Sequence, residues 1–426
     1  MHRRDFIRSS ASLAALGLAG CARHLAPTSA GATAPGLPFY DPVLPFTPIR
    51  ASEDRIFKTT VCLRPFRAAG PRLDTETIGD TLVVHNYGHG GSGWSLSWGS
   101  SQIAITKALS RGTGQEIAVL GCGALGLTSA ILLQRAGAKA VIYAKELPPD
   151  VRSARATGSW TPDSRIALTA SAAPGFPALW EKMARTSYSR YQGYLGLAGN
   201  PIEWTDRYTL SGVAPNPIQA QPLAPSKQNP ALDFASYMDR IRDITPQPEL
   251  LPTRSTPFPA SSVERSSSMT FNVTAYARTL LEEFHLAGGR IERREFNDPQ
   301  ELAALPQKTV INCTGYGART LWRDESLIPV RGQIAWLIPQ PDVTYGLYFN
   351  HLNILARRDG IVVQLNRLGE ATGWNDDNEQ PDHEEAVAAV RQLADLYTRM
   401  AVSTSSSAHL VGSPSPIRRP YDSIQS

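Results

Sequence analysis

The sequence predicts an α/β fold in which a Rossmann-like nucleotide-binding unit carries a second, smaller, mainly antiparallel sheet. Three observations lead there. EIAVLGCGALGLTSAILLQRAG (116–137) reads as an apolar strand, a glycine turn and a helix, with AVIYA (140–144) following as a second strand. RGQIAWLIP (331–339), GLYFNHLNILAR (346–357) and IVVQLNRLG (361–369) read as strands of another sheet. A chain of 426 residues with 42% hydrophobic content can fill the cores that two such units need.

The remaining elements follow in chain order. Residues 1–21 pair Arg3 with Arg4 ahead of an apolar run from Ala11 to Gly20, too short to span a bilayer, and so predict an export signal. The arginine pair resembles a twin-arginine signal, and Leu18-Ala19-Gly20-Cys21 resembles the bacterial lipobox. On that reading Cys21 is the lipidated mature N-terminus, and the protein is exported, periplasmic and anchored to a membrane. Export in the folded state would suit a protein that takes up a cofactor before leaving the cytoplasm. Residues 22–53 are rich in Pro, Ala, Gly and Thr and read as a tether. RIFKTTVCLRPFR (55–67) alternates as a strand, HNYGHGGSGWSLSWG (85–99) reads as a glycine-rich loop, and SQIAITKALS (101–110) has helical periodicity. The stretch 209–268, rich in Pro and Ser, is expected to be long loops. VTAYARTLLEEFHLAGGRIERREF (273–296) reads as a helix closed by Gly288-Gly289 and then a strand, and KTVINCTGYGA (308–318) as a buried strand ending in a glycine turn. HEEAVAAVRQLADLYTRM (383–400) is helical, and the tail from Ala401 is expected to be flexible. No internal repeat is present.

Chemistry enters at Gly121-Cys122-Gly123-Ala124-Leu125-Gly126. Gly121 permits the tight turn, Gly123 lets a pyrophosphate approach the backbone, and Gly126 allows close helix–strand packing. Between a strand and a helix, this pattern predicts dinucleotide binding. Lys145 and Glu146 end the second strand, placing a carboxylate where ribose hydroxyls are expected. A net charge of +4, with Lys and Arg scattered, gives no basis for nucleic-acid binding. Cys62, Cys122 and Cys313 have no metal-type spacing and are expected to be reduced and mostly buried. His85 and His89 lie in a glycine-broken loop without a third ligand, so packing or hydrogen bonding is expected of them and no metal site is predicted.

Five separated segments, CLRPFRAAGPRLD (62–74), HNYGHGGSGWSLSWG (85–99), ARATGSWTP (154–162), VINCTGYGA (310–318) and VRGQI (330–334), together resemble the D-amino acid oxidase family of flavoenzymes. ARATGSWTP (154–162) is similar to its flavin-contacting loop, VINCTGYGA (310–318) to its glycine turn near the flavin, and VRGQI (330–334) to the crossover that follows. CLRPFRAAGPRLD and HNYGHGGSGWSLSWG resemble its C-terminal signature. In the family that signature closes the chain, whereas here it precedes the fingerprint strand, so the resemblance implies a circular permutation, with residue 400 joined to about residue 54 in the usual order. The strand holding Arg64 should then lie beside strands from 330–365, and the 85–99 loop should pack against GCGALG.

The resemblance further implies FAD as cofactor, held by the 121–126 turn and by Lys145, Glu146, Ser153, Thr157, Gly158, Ser159, Phe296, Gly90, Gly93, Trp94 and Ser95. Amides of the 90–95 loop and the Ser95 hydroxyl would stabilise negative charge on the reduced ring. Arg64 would pair with a substrate carboxylate through its planar fork, with Arg67, taken to lie on the same strand face, as a structural arginine. The Gly91 carbonyl would accept from the substrate amine, and no acid–base residue is needed, because the α-hydrogen leaves as hydride to flavin N5. The imino product hydrolyses to a 2-oxo acid and ammonia, and O2 reoxidises the flavin to give H2O2. The implied organisation is a FAD domain over 54–170 and 269–325 and a substrate domain over 171–268 and 326–400. Two departures stand out. Tyr348 falls near a lid tyrosine of the family, but a second tyrosine aligns with Asn353, or with Leu352 if the register slips by one. Two alternatives remain: a flavin dehydrogenase passing electrons to a membrane acceptor, and a binding lipoprotein with the same fold and little turnover.

Overall fold

The phosphate-turn strand forms where it does because its residues satisfy two cores at once. Ile117 and Val119 point into one apolar cluster and Ala118 and Leu120 into another, the period-two pattern of a strand covered on both faces. This computed structural model describes residues 46–112, 114–215, 232–252 and 255–408, with side chains to Met400. The export signal, Cys21 and most of the tether therefore lie outside the described residues, as do 216–231 and 409–426.

Fourteen strands are described: β1 (Ile56–Arg67), β2 (Thr75–Ile78), β3 (Thr81–His85), β4 (Glu116–Leu120), β5 (Lys139–Ala144), β6 (Ile202–Ser211), β7 (Glu249–Leu250), β8 (Ser262–Phe271), β9 (Arg290–Arg293), β10 (Thr309–Asn312), β11 (Leu327–Leu337), β12 (Tyr345–Phe349), β13 (Leu352–Arg357) and β14 (Gly360–Leu365). The α-helices are α1 (Gly93–Ala108), α2 (Ala124–Arg135), α3 (Phe176–Gln192), α4 (Val273–Leu286), α5 (Ala318–Leu321) and α6 (His383–Ala408).

A six-stranded sheet runs in the order β2-β3-β10-β4-β5-β9, parallel from β3 to β9 with β2 antiparallel at one edge. Helices α1, α2 and α4 share the cluster on one of its faces. An eight-stranded sheet runs β1-β11-β14-β13-β12-β6-β8-β7, antiparallel except where β12 meets β6. One face of this sheet buries Leu337, Val363, Ile354 and Leu347 against Leu393 and Leu396 of α6. Each such buried aliphatic side chain contributes about 1.5–3 kcal/mol. The intervening residues, among them Gln364 and Asn353, face the other way, into a cavity.

Several expectations change. β1 lies beside β11, as expected for the Arg64 strand, paired from Ile56↔Leu337 to Arg67↔Leu327, and so joins the eight-stranded sheet although the 54–170 bounds group it with the FAD unit. The 209–268 stretch is not all loop: β6 runs into it and β8 leaves it, zipped antiparallel from Ile202↔Phe271 to Ser211↔Ser262. Backbone pairing holds this ladder although Ser266, Ser267 and Ser268 supply little apolar signal. Helix α1 starts at Gly93 rather than near 101, so Trp94 and Ser95 are helical. Beyond Ala401 the backbone stays helical to Ala408 instead of becoming tail. The unanticipated α3 packs on α1, and Gly99 lets them meet: a Cβ there would lie 2.2 Å from the Met183 carbonyl oxygen. No described helix is long and apolar enough to cross a membrane.

Candidate active site

Two helix N-termini and one sheet face enclose a cavity of about 840 Å³, at the upper end of the range for small-molecule sites. The first N-terminus is that of α2, behind the glycine turn. Gly121 has φ +97°, and a Cβ on it would lie 2.7 Å from the Cys313 carbonyl oxygen. A Cβ on Gly126 would lie 2.0 Å from the Gly121 oxygen. These contacts close the turn so that Gly121, Cys122, Gly123, Ala124 and Leu125 line the cavity, whereas Gly126 packs behind them. Ser153 Oγ accepts from the Ala124 amide at 3.3 Å. Cys122 and Cys313 are buried and free, and Cys62 is free and partly buried. Burial pushes the Cys122 and Cys313 thiols up to about 12, so they are unreactive at neutral pH.

The second N-terminus is that of α1. The 85–99 stretch packs on the fingerprint helix, with Thr128 Oγ1 donating to the Ser97 carbonyl at 3.3 Å and Asn86 Nδ2 donating to Ser129 Oγ at 3.3 Å. Gly90 has φ +55° and sits so close to Arg165 that a Cβ would lie 1.9 Å from its carbonyl oxygen. The Gly90 amide donates to Pro65 O at 2.8 Å and the Gly91 amide to Ser164 O at 3.0 Å. Gly90 therefore shapes the loop and does not offer its N–H to the cavity, contrary to expectation. Among the described residues nothing donates to the Gly91 carbonyl. Gly93, Trp94 and Ser95 open the helix, where amides have no intrahelical acceptor and carry the positive end of the helix dipole. The Trp94 indole donates to Ser153 O at 2.8 Å, and Ser95 Oγ accepts from the Thr161 amide at 2.8 Å.

Behind the loop, His89 Nε2 meets Ser100 Oγ at 2.7 Å, and Ser100 in turn donates to Asn86 Oδ1. That chain places the imidazole proton on Nε2 and leaves Nδ1 a bare, buried lone pair. Burial lowers the His89 pKa to about 3. His85 bonds Glu76 Oε1 at 3.0 Å and Asn312 Nδ2 at 3.1 Å, as expected of a packing histidine.

The sheet face supplies the rest. Arg64 lies over Gly332, where a Cβ would fall 2.2 Å from its Nη1, and Nη1 donates to Arg331 O at 3.2 Å. Arg67 projects to the opposite face, since an odd spacing along an unbroken register reverses direction. It bonds Ser326 Oγ at 2.9 Å and pairs with Asp324 at 3.6 Å. Tyr348 and Asn353 face each other across β12 and β13, and both line the cavity. Thr157, Gly158, Ser159, Ser153 and Phe296 line it too, with Lys145 and Glu146 exposed at the rim and Lys145 paired to Glu295 at 2.7 Å. Arg207 and Arg165 also line it, though sequence reasoning did not single them out. The only hint of Arg207 was the strand IEWTDRYTLS, masked by the proline-rich run after it.

A parallel sheet with a glycine turn, and two dipole ends opening on one large cavity, define a protein of the dinucleotide-binding class. The chain belongs to the FAD-dependent oxidoreductase family, whose model matches residues 116–418. Similar proteins include the D-amino-acid oxidases of Dictyostelium discoideum, 24% identical over 67% of this chain and 74% of that protein, and Streptomyces coelicolor, 25% identical over 70% and 82%. That of Rubrobacter xylanophilus is 28% identical over 66% of this chain and 77% of its own length. Among solved structures, glycine oxidase from Geobacillus kaustophilus aligns with a TM-score of 0.46 and 12% identity, over 68% of this chain and 80% of that one. The protein is an enzyme that uses FAD. The residues fit that cofactor: Gly121 and Gly126 have no room for a Cβ, Gly123 keeps the approach to the helix end open, and amides without an intrahelical acceptor at both helix N-termini suit a diphosphate and a ring that gains negative charge.

Proposed function

We propose that the enzyme oxidatively deaminates a D-amino acid and passes the electrons to O2, giving a 2-oxo acid, ammonia and H2O2. One observation carries this reading: Arg64 enters the cavity with no carboxylate within ion-pair distance among the described residues, on the sheet face opposite the two helix N-termini. The unused donors of its fork match a substrate carboxylate. The free Gly91 carbonyl accepts from the substrate amine, orienting the α-carbon. The bound flavin supplies the hydride acceptor. His89 stays neutral and is no proton donor at physiological pH.

Export and lipid anchoring at Cys21 belong to the same proposal and rest on the arginine pair and the Leu-Ala-Gly-Cys pattern. A Cys21→Ala variant should then move from the membrane fraction to the soluble one. The chain order is that of a circular permutant. Three facts support this: β1 pairs with β11, Glu53 meets Arg391 of α6 at 3.1 Å, and the family match begins at β4.

The experiment is an anaerobic screen of D- and L-amino acids on the purified flavoprotein. Bleaching by D-isomers, with peroxide on re-aeration, is expected. Bleaching without peroxide would make the enzyme a dehydrogenase, and no bleaching by any of them would overturn the amino-acid reading.

A further inference from the structure

Of the basic side chains lining the cavity, Lys145, Arg152, Arg155, Arg165 and Arg294 each have a carboxylate within 3.7 Å. Arg64 and Arg207 have none among the described residues. An unpaired cation withdrawn from bulk water is costly, and such groups are ordinarily matched by an opposite charge. Arg207 is withdrawn strongly enough that burial alone lowers its pKa to about 10. The surface it keeps faces the cavity. Its Nη1 donates to Ser159 Oγ at 2.7 Å and its Nη2 to Asn353 Oδ1 at 2.5 Å, both neutral acceptors. Two of five guanidinium donors are thus used, and they hold the group in place without neutralising it. Contrast Arg357, more deeply buried, whose charge is met by Asp359 at 2.6 Å.

Position adds the second argument. Arg207 pairs with Gly346 in the β6–β12 ladder, and the missing side chain there gives its stem room: a Cβ would lie 3.2 Å from Arg207 Cγ. The guanidinium then reaches Asn353 on β13, while that of Arg64 lies over Gly332 on β11. Only β14 separates those strands, and the register sets Gly332 two residues along from the level of Asn353, so the two heads stand roughly 12 Å apart, two strand spacings across and two residues along. Uncharged Gln364 and Ile334 line the face between them. That span accepts a short chain with an anionic group at each end.

We propose that Arg207 is a second anion-binding residue of the substrate pocket and that the substrate is an amino acid carrying a second carboxylate. The proposal rests on Arg64 taking the α-carboxylate. It also gives Asn353 a task, holding the Arg207 fork where the related family places a phenol.

Calorimetry on the flavin-loaded protein tests it, with succinate and glutarate titrated against propionate and butyrate. Each dicarboxylate should bind at least tenfold tighter than its monocarboxylate. That ratio should fall towards one in Arg207→Gln and survive in part in Arg207→Lys, with bound flavin reporting that each variant folds. Equal affinities in the unaltered protein, no dicarboxylate binding, or an undiminished ratio in Arg207→Gln would overturn the proposal. Turnover is read separately: a dicarboxylate preference without bleaching by any amino acid sinks the oxidase reading and leaves Arg207 standing, and bleaching without the preference does the reverse.

Discussion

His89 sits behind the glycine loop as a neutral imidazole with one nitrogen bonded and one bare. It titrates at about 3 and His85 at about 4, both below the ordinary 6.5 because burial disfavours their charged forms. Between those values and 6.5 the unfolded chain takes up protons that the folded one refuses, so this stability is complete above about pH 6.5 and drains away as pH falls towards 4. Urea midpoints should decline over that window, less steeply in His89→Gln; a matching slope would mean that His89 is not held neutral. Arg64→Ala should keep its flavin but need substrate at concentrations higher by about two to three orders of magnitude, as for loss of a charge pair worth roughly 3–4 kcal/mol. Steady-state KM together with flavin content checks this. Arg64 was legible because its Arg-Pro-Phe-Arg setting is distinctive. Arg207 was not, because a charge on a strand reads as solvent-facing until the fold closes over it.

At the scale of elements, the α1–α3 crossing depends on a missing side chain. Gly99→Ala gains helix propensity yet forces a methyl to within 2.2 Å of a backbone carbonyl, so overpacking wins. The expected loss is about 1–3 kcal/mol, read as a lower Tm, whereas Gly93→Ala, with nothing within 4 Å, should cost far less. The same helix explains a missed boundary. Trp94 through Ser101 are all buried, so no polar face marks its first turns and only 101–110 shows a period. β4, α2 and β5 were legible because an apolar strand, a glycine turn and a helix leave separate signals. β6 and β8 were not, since their ladder depends on pairing between distant backbones and their flanks are rich in proline.

For the whole molecule, the two sheets were legible in kind; a strand's period says nothing of its partner, and it was the resemblance carried by the Arg64 segment that placed this strand beside 330–365, where β1 pairs with β11. If the chain is a permutant, joining residue 400 to residue 54 and opening it within 110–116 should give a folded, flavin-binding protein. Thr47 and Tyr397 both meet the Tyr345 hydroxyl at 2.7 Å, so the segments to be joined already lie together. Absorbance of bound flavin in the purified rearranged chain checks this, and an insoluble or colourless product would argue against it.

The pairing of β1 with β11 also sets a timetable. Thr60 stands opposite Ile334 in the ladder, so the early strand leaves the ribosome long before its partner exists and waits as an unpaired edge, the kind of surface that invites aggregation. Native pairing of that edge begins only when synthesis is nearly finished. A chain stalled before Leu327 should therefore associate with holdase chaperones in ribosome pull-downs, and one stalled well past Leu337 should release them.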